Sequence, residues 1–184
     1  NDIIFKLYEI AETKNNLAIL SAVESDSESK ILNYDNNFEE VDYVRGFLML
    51  VNNNNCKSTN YFDEKFFLYL EEIDLCKRLK ELKLLICKTP NIFIHHMGGK
   101  SHNPDVSYKM ELQRNWHYMW SLFYFNRKHH GYFYAYQKTI LKFFSALIKM
   151  SLFYFLNKKK HEIYKHRFLG LYNSFTNNKS SFRI

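Results

Sequence analysis

The chain has 184 residues, which is enough for one domain with a sizeable hydrophobic core. Its net charge of +7 conceals an asymmetry: residues 1–75 carry 15 acids and 6 bases (net −9), and residues 76–184 carry 4 acids and 20 bases (net +16). The three cysteines, Cys56, Cys76 and Cys87, lack metal-ligand spacing and are odd in number. They argue against a disulfide framework and indicate a reduced, cytoplasmic setting. The basic half suits a nucleic acid, an anionic membrane surface or a phosphorylated substrate.

The first elements are a helix and a buried strand. Residues 3–13 have helical spacing, with Ile3, Leu7 and Ile10 on one side, and Asp2 stands before them as an N-cap would. Residues 17–23 form a short, continuous apolar run, which is typical of a strand buried on both faces.

A polar segment and an interrupted strand come next. Residues 24–40 are polar and acidic and predict a loop, with a weak strand at 30–34. Residues 41–51 predict a strand that Gly46 interrupts. A glycine inside a strand pattern indicates a bulge or a close approach of the backbone to a ligand.

An amphipathic helix is predicted over residues 70–83. Leu75, Leu79 and Leu82 recur at helical spacing and form one apolar stripe. Glu72 continues this face at its N-terminal end, near backbone N–H groups that stabilise its anion. Such a carboxylate suits a general base. Composition alone favours the simpler role, in which Glu71 and Glu72 only complement the helix dipole. Asp74 points elsewhere and is predicted to form an exposed pair with Arg78.

The following segment predicts two strands and a long helix. The strands are expected at residues 84–87 and 91–94, on either side of Pro90. A helix over residues 107–129 follows, with Gly131 in the position that commonly ends a helix.

The last part reads as a basic amphipathic helix. In residues 135–157, Lys138, Lys142, Ser145 and Lys149 form one narrow stripe, and nearly all other positions are apolar. These lysines argue against a spanning helix and favour one that lies in the interface of an anionic membrane. The alternative is a helix buried against the rest of the domain or against a second copy.

Three sequence blocks now stand in order. They are Arg45-Gly46-Phe47, the acidic block from Phe62-Asp63-Glu64 to Glu71-Glu72-Ile73-Asp74-Leu75, and Ile94-His95-His96-Met97-Gly98-Gly99-Lys100-Ser101. Together they resemble the C-terminal half of a family 2 glycosyltransferase, of the rhamnosyltransferase-like group that builds bacterial cell-surface polysaccharides. The resemblance covers residues 2 to about 131. It implies an α/β fold: the C-terminal part of a GT-A fold, a mixed sheet with flanking helices, followed by C-terminal amphipathic helices.

The resemblance also implies roles for individual residues. The base of the family's Glu-Asp pair falls on Glu72, where Glu replaces the usual Asp, and Glu71 matches the other acid. Asp2 and His96 match ligands of a divalent cation, Mg²⁺ or Mn²⁺. Asp74 matches a further acid near the substrate. Arg45, Gly46 and Arg114 are candidates for substrate binding, and Asn60 replaces a family glycine, which suits it because Asn tolerates the left-handed conformation.

The function implied is inverting transfer of a sugar from a nucleotide-sugar donor to a lipid-linked or glycan acceptor. On this interpretation residues 1–131 are the acceptor-side half of the transferase domain, its nucleotide-binding half lies upstream, and residues 132–184 are a basic helical tail. We expect a peripheral protein on the cytoplasmic face of the bacterial inner membrane, and no nucleic-acid partner. The alternatives are a non-catalytic basic module that binds membrane or nucleic acid, and an inactive fragment.

Overall fold

The computed structural model describes residues 2–24, 37–96 and 106–183. The chain divides into two compact units. The first comprises Asn1–Asp63 and Glu72–Gly99, and the second comprises Glu64–Glu71 and Lys100–Ile184. The first unit carries a small mixed sheet with helices and the second is helical, so the predicted mixed α/β class is confirmed. The expected boundary between residues 131 and 132 falls inside the second unit.

The first unit is built on a four-stranded sheet with the order β2-β4-β1-β3. Its central strands β1 and β4 run parallel, and the short strands β2 and β3 pair antiparallel at the edges. The elements are α1 Asp2–Glu12, β1 Leu17–Glu24, β2 Glu39–Glu40, β3 Leu50–Val51, α2 Asn53–Cys56, a 3₁₀ turn Lys57–Thr59, α3 Glu71–Glu81 and β4 Leu85–Ile94.

Strand β1 is buried on both faces, as its continuous apolar run predicts. Ala18 and Ile19 lie in a core cluster with Leu75 and Leu79 of α3. Leu20 lies in a second cluster, which also holds Leu7 of α1. The sheet therefore separates the two cores of this unit.

Three local predictions for this unit are wrong in part. Most of the strand expected at 41–51 is irregular, because Gly46 lies in a turn and only Leu50–Val51 joins the sheet. Leu82 does not extend the apolar stripe, since α3 ends at Glu81 and this leucine is 51% exposed. Ile3 is likewise exposed rather than packed beside Leu7. The weak strand expected at 30–34 lies outside the described residues.

The two strands expected around Pro90 are one strand, β4. The proline is accommodated by an irregularity in the pairing with β1, where Ala22 is opposite Thr89 but Val23 is opposite Phe93. Residues 90–92 are thereby left out of the register, and a proline that cannot donate a ladder hydrogen bond is tolerated at such a bulge.

The second unit is formed by two long helices, α4 Ser107–Leu156 and α5 Lys158–Phe175. The helix predicted over 107–129 is present, but it does not end at Gly131 as expected. This glycine has φ 83° and ψ 170°, and the helix resumes directly after it. Its conformation is not the left-handed one that ends a helix, so Gly131 makes a break within α4.

Close packing holds α4 against α5. Trp116, Trp120 and Tyr124 of α4 form an aromatic cluster that also takes in Phe66. Gly170 of α5 faces the carbonyl group of Trp116 so closely that an added Cβ would clash with the carbonyl oxygen. The backbones of the two helices therefore meet at this glycine.

The segment after α5 is fixed to α4 by hydrogen bonds to side chains. His117 Nδ1 lies 2.8 Å from Ser180 Oγ, and its Nε2 lies 2.8 Å from the carbonyl oxygen of Phe182. Trp120 Nε1 donates to the carbonyl oxygen of Asn178 at 2.9 Å. Burial lowers the pKa of His117, which favours a neutral ring that donates from Nε2 and accepts at Nδ1.

Candidate functional site

A cluster of polar side chains lies at the carboxyl ends of the parallel strands β1 and β4. Glu24 is the last residue of β1, and His96 follows β4 by two positions. Glu24 Oε1 lies 3.2 Å from His96 Nδ1, and Arg45 Nη1 donates to Glu24 Oε2 at 2.5 Å. The imidazole of His96 stacks on Phe47 with ring centroids 5.3 Å apart. Sheets of this kind bind ligands outside the carboxyl ends of their strands.

This cluster borders a cleft of about 810 Å³, which is within the usual size range of small-molecule sites. The cleft is of mixed charge. Its acids are Glu24, Glu39, Glu40 and Asp42, and its bases are Arg45, Lys80 and Lys88. A ligand that enters it meets both carboxylates and cationic donors.

The carboxylate of Glu24 is held in its ionised form. The hydrogen bond to His96 lowers the pKa of Glu24, the bond to and charge of Arg45 lower it further, and partial burial opposes them. A comparable pair lines the same cleft, where a hydrogen bond from Lys80 to Asp42 at 2.7 Å lowers the pKa of Asp42. The acids of the cleft that have such partners therefore remain anions near neutral pH.

Glu72 lies in the first turn of α3. It is half-buried, and its Oε2 is fully buried without a hydrogen-bond partner among the described residues. Its charge contributes, after burial, to raising the pKa of the Cys76 thiol to about 11. An acceptor oxygen left unsatisfied in a protein interior calls for an explanation.

Asp74 is not the exposed residue that the sequence predicts. It is fully buried, and Arg78 Nε donates to its Oδ2 at 2.8 Å. The guanidinium also donates to the carbonyl oxygens of Thr59 at 2.6 Å and Tyr61 at 2.5 Å. The chain at 59–61 covers this side of α3, which helical periodicity alone does not reveal. Asp74 therefore acts as a structural counter-ion for Arg78 and is not accessible to a substrate.

The remaining candidate residues lie in different parts of the structure. Arg45 and His96 come together through Glu24, as described above. Gly46 lies in the turn beside Arg45, and no atom of the described chain lies within 4 Å of the position where a Cβ would be added. Glu71 is half-buried at the start of α3. Arg114 belongs to α4, in the other unit.

The residues described do not by themselves fit a complete divalent-metal site. Within the described ranges no group of three or more His, Cys, Asp or Glu side chains is arranged to hold a metal ion. Mg²⁺ prefers six oxygen ligands, whereas His96 offers one nitrogen and the neighbouring Glu24 carboxylate already accepts from Arg45. Asp2 is the first residue of α1, and its side chain lies outside the described part of the structure.

Sequence reasoning missed Glu24, the residue that connects the site. The polar composition of residues 24–40 assigns Glu24 to a loop. The available signal was its position, as the first acid after a continuous apolar strand, where the end of a parallel strand meets a ligand. Phe47 belongs to the first of the three motif blocks, and the sequence does not predict its contact with His96.

Comparison of the chain with protein-family models, with curated proteins and with solved structures finds no match in any of the three. The protein consists of a mixed α/β unit, which carries a cleft beside the carboxyl end of β1, and a helical unit.

Proposed function

We propose that the chain is part of a family 2, GT-A-type inverting glycosyltransferase. It transfers a sugar from a nucleotide-sugar donor to a lipid-linked or glycan acceptor in the synthesis of bacterial cell-surface polysaccharide. The observation that carries the proposal is the meeting of two motif blocks that are far apart in sequence. Arg45 and Phe47 of the first block and His96 of the third all contact one another or Glu24 at the carboxyl ends of β1 and β4.

Glu72 is the proposed base. Its carboxylate takes the proton of the acceptor hydroxyl as that oxygen bonds to the anomeric carbon of the sugar. The bond from the anomeric carbon to the diphosphate breaks on the opposite face, and the nucleoside diphosphate leaves with the bonding electrons. The half-buried position of Glu72 in the first turn of α3 and its match to the base of the family's acidic pair support this role.

Arg45 is the proposed contact for phosphate oxygens. Its side chain is 71% exposed, and only one of its guanidinium nitrogens is bonded to Glu24. Guanidinium groups have five N–H donors and bind phosphate in a bidentate manner, so the group has donors to spare. The family resemblance adds a Mg²⁺ or Mn²⁺ ion held by Asp2 and His96. The described residues do not complete that site.

The base assignment is tested on protein expressed from the complete gene. Membranes that contain it are supplied with radiolabelled UDP-, GDP- and dTDP-linked hexoses, and transfer to extractable glycolipid or polysaccharide is counted. Glu72→Gln is expected to lower turnover by about 10²- to 10⁴-fold, because it removes a general base. Donor binding, measured by filter retention, is expected to stay within about twofold.

Glu81→Gln is the matched control, since Glu81 is an exposed acid at the other end of the same helix. Its turnover is expected to equal that of the parent. Unchanged turnover in Glu72→Gln rejects the base, and the same loss in Glu71→Gln alone moves the role to the neighbouring acid. Absence of transfer from every donor, together with salt-sensitive RNA binding, supports the non-catalytic basic module instead.

A further inference from the structure

The second half of α4 exposes a continuous apolar stripe. Five large side chains at helical spacing define it: Leu141 (78% exposed), Phe144 (51%), Ile148 (65%), Leu152 (56%) and Phe155 (88%). Steps of three and four residues keep these side chains on one side of the helix, over about 21 Å at 1.5 Å per residue. A soluble surface rarely exposes so many large apolar residues in one row.

The opposite side of the same helix is packed against α5. Phe143 contacts Phe168 and Phe175, with ring centroids 4.7 Å and 5.2 Å apart. Phe153 stacks on Tyr164 at 5.6 Å. The predicted alternative of a helix buried against its own domain therefore describes this side of α4, and the apolar stripe remains open to a partner.

The charge next to the apolar stripe indicates which partner fits. Lys138, Lys142 and Lys149 are exposed and follow one border of the stripe, and Lys158–Lys160 begin the next helix. Residues 132–160 contain these six lysines and no acid, a net charge of +6. Lysine residues beside an apolar helix face suit phosphate head groups above acyl chains.

A helix in the membrane plane agrees better with the packing than one that spans the bilayer. Within the described residues, α4 is one helix that is long and apolar enough to cross a membrane by length and composition. This depends on an 18-residue apolar window of the helix, of which 11% is buried. That window contains Lys142 and Lys149, however, and α5 lies along it with many charged and histidine side chains. A spanning α4 would take these groups into the hydrocarbon, where charge is costly.

We propose that the apolar stripe of α4 docks into the boundary between head groups and acyl chains of an anionic bilayer, with the adjacent lysines at the lipid phosphates. This docking determines where the protein resides, and it is independent of the proposed sugar transfer. It holds whether or not Glu72 acts as a base.

The first test measures binding of the 184-residue chain to sonicated vesicles by co-sedimentation. Vesicles contain phosphatidylcholine alone or with 30% phosphatidylglycerol as the probe. The double variant Ile148→Gln/Phe155→Gln is expected to lower the partition coefficient on anionic vesicles at least about tenfold. The matched control is Ile4→Gln/Phe5→Gln, which removes apolar side chains of 66% and 58% exposure from α1 and is expected to bind as the parent does.

The second test separates charge from apolar burial. In Lys142→Gln/Lys149→Gln, the partition coefficient on anionic vesicles is expected to fall about fivefold for each lysine removed. Binding to pure phosphatidylcholine is expected to equal that of the parent. Circular dichroism of each variant checks that it is folded.

Three results overturn the proposal. The first is absence of binding to anionic vesicles, or equal binding by the stripe variant and its control. The second is a dimer in light scattering that Ile148→Gln/Phe155→Gln dissociates, which makes a second copy the occupant. The third is bound protein that alkaline carbonate does not extract, which indicates a spanning helix. None of these results bears on sugar transfer, so the two proposals fail separately.

Discussion

At the residue scale, Arg78 links the buried Asp74 of α3 to the turn at residues 59–61. Asp74 is fully buried and Arg78 has 18% of its side chain exposed. The guanidinium donates hydrogen bonds to the carbonyl oxygens of Thr59 and Tyr61. In the same turn, Asn60 (φ 54°) and Tyr61 (φ 55°) have left-handed backbone conformations. Arg78 therefore stabilises a turn whose backbone is unfavourable for most residues.

Arg78→Met is expected to lower the free energy of unfolding by about 3–5 kcal/mol, because it removes the guanidinium that pairs with a buried carboxylate. Urea unfolding followed by circular dichroism measures the loss. The exposed Glu81→Gln serves as the control, with an expected change within about 0.5 kcal/mol. A loss in Arg78→Met as small as that of the control would show that water compensates the charge of Asp74.

The sequence predicts single residues well where one helix or turn decides the outcome. Leu75 and Leu79 of α3 are buried in one core cluster as their spacing predicts, and Asn60 adopts the left-handed conformation (φ 54°, ψ 28°) that suits Asn in place of Gly. Asp74 and Glu24 were misjudged for one shared reason. Their environments depend on segments that are distant in sequence, namely the turn at 59–61 and the end of β4. The local hydrophobic periodicity of the sequence does not predict contacts with such segments.

At the element scale, the crossing of α4 and α5 depends on Gly170. The residue is buried, and the carbonyl oxygen and carbon of Trp116 occupy the space that a side chain would need. A backbone carbonyl within a helix cannot swing away as a flexible side chain can. The helices must therefore separate if any larger residue replaces this glycine.

Gly170→Ala is expected to destabilise the helical unit by about 1–3 kcal/mol through overpacking, despite the roughly 1 kcal/mol by which alanine favours a helix over glycine. Tryptophan emission in urea measures the change, since Trp116 and Trp120 lie at this contact. Gln137→Ala, at an exposed position of α4, is the control for helix propensity and is expected to be neutral or slightly stabilising. If Gly170→Ala leaves the free energy of unfolding unchanged or raises it slightly, as expected for the control, the two backbones are not in contact.

Elements with a strong internal pattern were predicted, and those shaped by neighbours were not. The apolar run of β1 and the periodic leucines of α3 are local signals, and both elements are where the sequence places them. Residues 41–49 carry a strand-like composition but follow an irregular path. Their contacts are made with separate elements, from Val41 N to the carbonyl oxygen of Ile86 and from Asp42 to Lys80.

At the scale of the whole molecule, the two units carry separate reporters. All three cysteines, Cys56, Cys76 and Cys87, are buried in the first unit, and both tryptophans are in the second. Burial raises the pKa of each thiol, that of Cys76 to about 11, so the reactive thiolate is scarce in the folded protein.

We expect no reaction with Ellman's reagent within minutes in native buffer, and three equivalents of thiol in concentrated urea. Across a urea series, thiol reactivity and tryptophan emission are expected to have different midpoints, because each unit has hydrophobic clusters of its own. Coincident midpoints would mean that the units unfold as one cooperative structure. A fast-reacting thiol in native buffer would contradict the burial of the cysteines.

The path of the chain between its two units has a consequence for the order of synthesis. The short segment Glu64–Glu71 belongs to the second unit, although residues of the first unit precede and follow it. On a ribosome that adds roughly 5–20 residues per second, this segment emerges seconds before the helix against which Phe66 packs. The sheet of the first unit is complete once β4 has emerged, so the nascent protein carries an exposed aromatic loop until Trp116, Trp120 and Tyr124 follow. For the same reason, no single cut of the chain separates the two units.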